Sequence, residues 1–302
     1  AVLQQPLSPI RQHARGGFPP PNWWGNSGAP HEPVCTVRWR ELVEQRQGSI
    51  IYLEDITVSF DGFRVLRGVD FYVDRGELRA LIGPNGAGKT TLLDVMCGKV
   101  KPDTGRLIFG DKTDLTSLEE HEITMLGVGR KFQTPSVFKQ LTLVENLSLS
   151  LRQPRSVWST LRGSPAAAQM EKIVPALELL NLLDKAHLQA GLLSHGEMQW
   201  LEIGMVIVQE PALFLLDEPV AGMTKNEREK TGALLLRLAQ EHAVLVVEHD
   251  MEFVRQTAHR VTVLHEGSVL CEGSVDMVQR DERVVEVYLG RGHKADADDS
   301  KS

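Results

Sequence analysis

Cysteine is scarce in this chain: Cys35, Cys97 and Cys271 are the only three in 302 residues. An odd number of widely spaced thiols excludes a disulfide framework and fits a reducing cytosol, so all three read as inert filler. Long apolar runs are also missing. No stretch reaches the roughly eighteen residues of a spanning helix, and the first residues lack the charged-then-apolar pattern of a secretory leader. Any membrane role is therefore expected to be peripheral. Excess positive charge is absent too: the formal net charge is −7, which argues against binding nucleic acid through bulk charge. No nucleic-acid partner is expected, and no internal repeat is visible. What remains is a chain that is 42% hydrophobic, long enough to bury a full α/β core and a smaller appended unit.

Patterning divides the chain. Residues 1–48 are dense in Pro and Gly, lack apolar periodicity, and read as a flexible extension with only a hint of helix at 37–43. Within it, Trp23-Trp24 is either an anchor for a partner or a loosely packed pair. From Ile50 the pattern becomes strand-like, and an Asp61-Gly62 turn between apolar runs signals a hairpin, so a β subdomain opens the fold. An apolar stretch at 78–82 leads through a glycine-rich loop into a helix that Gly98 stops. The unbroken apolar runs 212–216 and 243–247 have strand length and suit parallel strands covered on both faces. Residues from about 140 to 210 carry helical spacing with Leu-rich faces. A second hairpin, around Glu266-Gly267, precedes a charged tail. The predicted fold class is therefore α/β, with a mainly parallel core sheet, an N-terminal antiparallel β subdomain and an inserted helical subdomain. Its expected boundaries are 49–290 for the whole domain, about 134–210 for the helical subdomain, and 291–302 for a disordered tail.

Chemistry concentrates in a few short segments. Gly83, Pro84, Asn85, Gly86, Ala87, Gly88, Lys89 and Thr90 fit the phosphate-loop pattern, in which glycines turn backbone N–H groups inward and the following helix offers its positive end to phosphate. Lys89 is expected on the β and γ phosphates of ATP and the Thr90 hydroxyl on Mg²⁺, with Thr91 beside them. Asp217 and Glu218 follow a dry strand. Asp217 suits magnesium held through water, and Glu218 suits polarising the attacking water. Ser194, with Glu197 three residues on, is a capping box for a helix start. The same geometry, with Gly196 permitting close approach, could hold the γ-phosphate of ATP bound to another subunit. His195 reads as a solvent-facing filler more readily than as a proton-transfer group. His249 emerges at the same sheet edge as Asp217, positioned to touch the γ-phosphate or to orient Glu218. Gln133, near the junction with the helical stretch, suits Mg²⁺ or the attacking water. Phe60 either stacks on adenine or packs plainly.

Phe60, the phosphate loop, Gln133, the 193–197 segment, Asp217-Glu218 and His249 together resemble the motif series of an ABC transporter ATPase subunit, over roughly residues 50–290. The stretches GRKFQTPSVF (129–138), LSHGEMQWLEIGM (193–205), LLDEPVAGMT (215–224), VVEHDMEFVR (246–255) and VEVYLG (285–290) are similar to the ATPases of urea and branched-chain amino-acid importers, most of all to the urea-importer D-type subunit. The resemblance implies a P-loop NTPase fold and an ATPase on the cytoplasmic face of the inner membrane. It would close on ATP and Mg²⁺ as a dimer, usually with a second ABC ATPase, beneath two permease subunits fed by a periplasmic solute-binding protein. It implies catalytic roles for Glu218, His249 and Gln133, and a permease-docking region from Thr134 to about Leu149. Urea or a short amide is the expected solute. A branched-chain amino-acid importer is the alternative, and a soluble non-transport ABC ATPase or a generic P-loop kinase or GTPase stands further off. Three departures from the family pattern stand out: His195 and Glu197 replace Gly and Gln of the commonest signature, and Thr224 stands where Asp is usual. Glu197 is expected to bring negative charge near the partner's nucleotide.

Overall fold

The computed structural model describes residues 48–131, 137–151 and 167–289. Gln133, Trp23-Trp24, Cys35, the helix hinted at 37–43, the tail and all but the last residue of the N-terminal extension lie outside the described residues.

Two sheets organise the chain. The first is antiparallel, with β1 (Ser49–Phe60), β2 (Phe63–Asp74), β4 (Thr104–Phe109) and β5 (Thr113–Asp114) in the order β2-β1-β4-β5. Phe60 pairs with Phe63 across Asp61-Gly62, and both turn residues have positive φ, 50° and 82°. That pair of left-handed residues gives the turn whose twist matches the flanking strands. The second sheet holds β3 (Leu78–Ile82), β6 (Val128–Lys131), β7 (Leu213–Asp217), β8 (Ala243–Val247) and β9 (Arg260–His265), all parallel, with β10 (Ser268–Gly273) antiparallel at one edge. Its order is β10-β9-β3-β8-β7-β6. The edge hairpin again turns on a positive-φ pair, Glu266-Gly267 at 47° and 79°.

Every residue of β3, β7 and β8 is buried, and their alternation decides which core each side chain joins. Leu213 and Leu215 of β7, with Ala243, Leu245 and Val247 of β8, enter a core shared with the antiparallel sheet and α1 (Lys89–Met96). Phe214, Leu216, Val244 and Val246 enter the opposite core, with α3 (Leu143–Ser150), α4 (Ala167–Leu179), α5 (His195–Ile207) and α6 (Lys225–Leu238). Each such aliphatic or aromatic side chain contributes about 1.5–3 kcal/mol by leaving water. A smaller cluster packs Ile82, Val261 and Val263 against α8 (Val275–Arg280) and α9 (Glu282–Leu289). The remaining helices are α2 (Glu120–Leu126) and α7 (Met251–Thr257).

Two features lock the layers. Gly204 lets α5 close on its neighbours, since a Cβ there would lie 2.4 Å from Leu180 Cδ1 and 3.3 Å from Leu147 Cδ2. Arg79 at the start of β3 is wholly buried, ion-paired to Glu77 at 3.2 Å and Glu272 at 3.0 Å, with its guanidinium 4.1 Å from the centre of the Tyr72 ring. It thereby ties β2 of one sheet to β3 and β10 of the other. Among the described residues no helix is long and apolar enough to cross a membrane.

Candidate functional site

Strands β3, β7 and β8 are parallel neighbours, so their carboxyl ends deliver side chains to one edge of the sheet. Gly83 follows β3 directly with a φ of 151°, and a Cβ there would sit 2.1 Å from the Leu264 carbonyl oxygen. Only glycine fits. Gly86, at φ 80°, faces open space within 4 Å, so its glycine serves backbone conformation alone. Gly88, at φ 101°, caps α1 without a side-chain hydrogen bond. The first-turn N–H groups of α1 are thus left without the side-chain acceptor that other helices here receive, the arrangement that suits an anion. The loop is fixed from outside. Ala87 N–H donates to the Pro84 carbonyl at 3.1 Å, and Gly267 N–H donates to the Ala87 carbonyl at 3.0 Å. The edge hairpin therefore braces the glycine-rich loop.

Lys89 Nζ donates to the carbonyls of Gly83 at 2.8 Å and Pro84 at 3.1 Å, so its ammonium is folded back over the loop. Burial lowers its pKa, and the carboxylates of Glu218 and Asp217 oppose that shift. Thr90 Oγ1 donates to Asp217 Oδ2 at 3.4 Å. Asp217 is almost fully buried, and its Oδ1 has no hydrogen-bond partner among the described residues. Its carboxyl is pushed above the usual carboxylate range by burial, against the attraction of Arg130. An unpaired buried carboxylate oxygen beside a hydroxyl is costly unless a cation completes the set. Thr91 follows in α1, half-buried.

Glu218 has φ 47°, a left-handed conformation that costs a non-glycine residue about 1–3 kcal/mol and recurs at functional sites. Its own N–H donates to the Val247 carbonyl at 2.9 Å, extending the β7–β8 pairing by one residue. His249 Nδ1 lies 3.7 Å from Glu218 Oε1, and both side chains are open to solvent. The structure therefore brings Lys89, Thr90, Asp217, Glu218 and His249 to one edge of the sheet.

The 193–197 segment is a capping box. Ser194 Oγ accepts from Glu197 N–H at 3.3 Å, and Glu197 Oε2 accepts from Ser194 N–H at 3.1 Å. Glu197 Oε1 also pairs with Lys185 Nζ at 2.5 Å, and this contact leads the causes that hold its carboxyl below the ordinary range. The negative charge anticipated near the partner's nucleotide is thus matched by a lysine of the same chain. Gly196 is buried, and a Cβ on it would lie 2.1 Å from Glu227 Oε1. What approaches Gly196 closely here is α6 of its own chain. Thr224 has an equally local task. Its hydroxyl accepts from Glu227 N–H at 3.4 Å while Glu227 Oε2 accepts from Thr224 N–H at 2.9 Å, capping α6. His195 is exposed but not idle, since its Nε2 lies 3.2 Å from the Ala221 carbonyl.

Phe60 is 46% exposed at the tip of the first hairpin, and that hairpin reaches the glycine-rich loop through Leu66, whose Cδ2 sits where a Cβ on Gly88 would be 2.8 Å away. Its exposure leaves a ring face available rather than packed. Three positioning groups escape a motif-based reading. Arg130 of β6 donates to Asp94 Oδ1 at 2.6 Å on α1, Lys131 pairs with Glu202, and Glu248 is buried just after β8. The rule that flags Asp217, a carboxylate just after a fully apolar strand, would have flagged Glu248 as well.

Comparison with known proteins agrees with this geometry. Residues 66–221 match the family described as "ABC transporter", and residues 268–294 match the one described as "Branched-chain amino acid ATP-binding cassette transporter". The chain is 34% identical over 250 residues to the high-affinity branched-chain amino acid transport ATP-binding protein BraF of Pseudomonas aeruginosa, covering 80% of this chain and 98% of that one. It is 32% identical, with the same coverage, to LivG of Escherichia coli, a protein with the same description. Among solved structures, a nucleotide-free ATP-binding cassette from an ABC transporter superposes with a TM-score of 0.72 at 32% identity, over 80% of this chain and 98% of that one. A second cassette in its ADP conformation also gives 0.72, at 33% identity, over 80% of this chain and 99% of that one.

Proposed function

The chain belongs to the ABC transporter family as an ATP-binding subunit, an ATPase that drives transport, and from that premise we propose that it powers a small-solute importer of the branched-chain amino-acid type. The observation that carries this reading is the convergence of Lys89, Thr90, Asp217, Glu218 and His249 at the ends of three adjacent parallel strands.

The chain's own residues divide the work. The N–H groups of the 83–90 loop and the start of α1 bind the phosphates of ATP, and Lys89 exchanges its carbonyl partners for β and γ oxygens. Phe60 stacks on the adenine. Thr90 and Asp217 suit Mg²⁺, with Gln133 as a further ligand, because Asp217 keeps an unpaired buried oxygen beside the Thr90 hydroxyl. When bound, that ion neutralises charge on the β and γ phosphates. Glu218 accepts a hydrogen bond from the attacking water. The water's oxygen then bonds to the γ phosphorus, giving a proton to the Glu218 carboxylate, as the bond to the β–γ bridging oxygen breaks, leaving ADP and phosphate. His249 orients Glu218 and faces the γ-phosphate. Ser194, Gly196 and Glu197 present the start of α5 to ATP held by a second ATPase subunit. The exposed Phe138 and Leu149 belong to the face that receives a permease, on the cytoplasmic side of the membrane, with a periplasmic binding protein supplying solute.

Two solutes fit. The named relatives are described as branched-chain amino acid transport proteins, and the match at 268–294 points the same way, so leucine-like solutes come first. The second reading is urea or a short amide, which rests on the similarity of segments such as LLDEPVAGMT and VVEHDMEFVR to urea-importer ATPases. Labelled leucine and labelled urea uptake, measured in a deletion strain complemented with this chain or its Glu218→Gln variant, separates them. Uptake of one solute restored only by the intact chain assigns it. Restoration of neither would overturn the importer reading for both solutes.

A further inference from the structure

Glu248 occupies a position no motif assigns. It is 1% exposed, and each of its carboxylate oxygens serves a different element. Oε1 accepts from Val220 N–H at 3.2 Å, and Oε2 accepts from His249 N–H at 3.1 Å. The first bond closes the turn that contains Glu218. That turn is pinned at its start by Glu218 N–H on the Val247 carbonyl at 2.9 Å, and two residues later by Glu248. The second bond fixes the backbone of His249, whose ring stands 3.7 Å from Glu218. Backbone contact to the third strand completes the frame, since Glu248 N–H donates to the Leu81 carbonyl at 3.3 Å, just ahead of the phosphate loop.

A buried carboxylate is a costly way to hold two N–H groups, because burying charge is favourable only where its hydrogen bonds are satisfied. A small hydroxyl could satisfy one of them. It could not bridge both. We propose that Glu248 is a positioning residue of the hydrolytic site, whose single carboxylate holds the Glu218 turn and His249 in mutual register. This rests on the hydrolytic reading given above. It adds that the left-handed backbone at Glu218 is held in place by the side chain of a residue on the neighbouring strand end as well as by its own turn, in which Ala221 N–H donates to the Glu218 carbonyl at 3.3 Å.

Two substitutions test this in the full chain within its assembled transporter. Glu248→Gln keeps size but offers one acceptor oxygen, so an amide NH₂ must face an N–H. Glu248→Asp keeps the charge but is one methylene too short to reach both donors. Each should lower kcat about 10- to 100-fold, as expected for a lost charged hydrogen bond at a site of fixed geometry, while KM for ATP stays within about twofold. A purely structural role would lower the melting temperature and leave kcat per folded molecule unchanged. Glu218→Gln is measured alongside. If Glu218→Gln is inactive while both Glu248 variants turn over at the wild-type rate, the positioning role is overturned and the hydrolytic reading stands. If Glu218→Gln itself turns over normally, the hydrolytic reading falls and the proposal falls with it.

Discussion

Lys131 and Glu202 form an ion pair at 3.2 Å with side chains only 3% and 5% exposed. It joins the last residue of β6 to α5, the helix capped by Ser194, and Glu202 Oε1 is left without a hydrogen bond among the described residues. A buried pair of this kind seldom adds stability over an apolar replacement, but removing one partner strands a charge. Lys131→Met alone should therefore cost about 3–5 kcal/mol, read by urea unfolding. The double change Lys131→Met with Glu202→Leu should recover most of that loss. If the single and double variants were equally unstable, the cost would come from packing rather than from the unpaired carboxylate.

The hydrolytic assignment separates binding from turnover. Glu218→Gln should leave ATP affinity near the wild-type value and slow hydrolysis by about two or more orders of magnitude, as when a positioned base is lost. Lys89→Ala should instead abolish binding, because the charge-assisted contact to phosphate goes with the ammonium. Titration with a fluorescent ATP analogue, followed by phosphate release, distinguishes the two. Tight binding by Lys89→Ala would contradict the phosphate-loop assignment.

The parts legible in the sequence are those where local chemistry and fold agree. Asp61-Gly62 and Glu266-Gly267 announced hairpins because only a positive-φ pair makes such a turn, and the runs 212–216 and 243–247 announced parallel strands because both faces are dry. Ser194 and Glu197 announced a capped helix for the same reason. Less legible were residues whose role depends on distant partners. Nothing near His195 in sequence points to Ala221, and nothing near Gly196 points to Glu227. Glu197 carried an apparent excess charge until Lys185 was placed beside it by the fold. The solute is not legible because the residues brought together here suit ATP chemistry, which is the same for any solute, so strings similar to urea-importer ATPases and a likeness over 80% of the chain to a branched-chain amino acid transport protein point to different solutes.

Acid should remove activity before it removes the fold. Asp281, held by Arg283, titrates at about 2, and Glu197 and Asp250 are also shifted below the ordinary range. These groups bind fewer protons folded than unfolded, so their stabilisation is complete above the unfolded values near 4 and is lost as pH falls through the folded ones. Glu248 runs the other way. Burial raises its pKa against the N–H groups of Val220 and His249 and the charge of His249, as burial also raises that of Asp217, so both take up a proton ahead of those groups on descent, and neutral Glu248 forfeits one acceptor. Turnover should decline while the melting temperature still holds, with the melting temperature falling only between about pH 4 and 2. Parallel ATPase and melting profiles check this, and coincident decline of the two would contradict it.

Glu227 links two helix starts. Its carboxylate closes the cap of α6 with Thr224 and also occupies the space over Gly196, where a Cβ would lie 2.1 Å away. A methyl group at 196 must therefore push the Glu227 side chain aside, which the long side chain can do only by giving up its bond to Thr224 N–H. Thr224→Ala should cost about 1 kcal/mol in the natural background, as for loss of a helix cap. In a Gly196→Ala background the same change should cost less, because the Thr224 hydroxyl has already lost its 2.8 Å bond to Glu227 Oε2 and keeps only the one from Glu227 N–H. The double-mutant cycle in urea is the measurement, and a coupling of about 0.5 kcal/mol or more is expected for groups that share one carboxylate. Strict additivity would mean that Glu227 keeps its cap when displaced, and that Gly196 is glycine for the sake of the partner subunit rather than for the helix of its own chain.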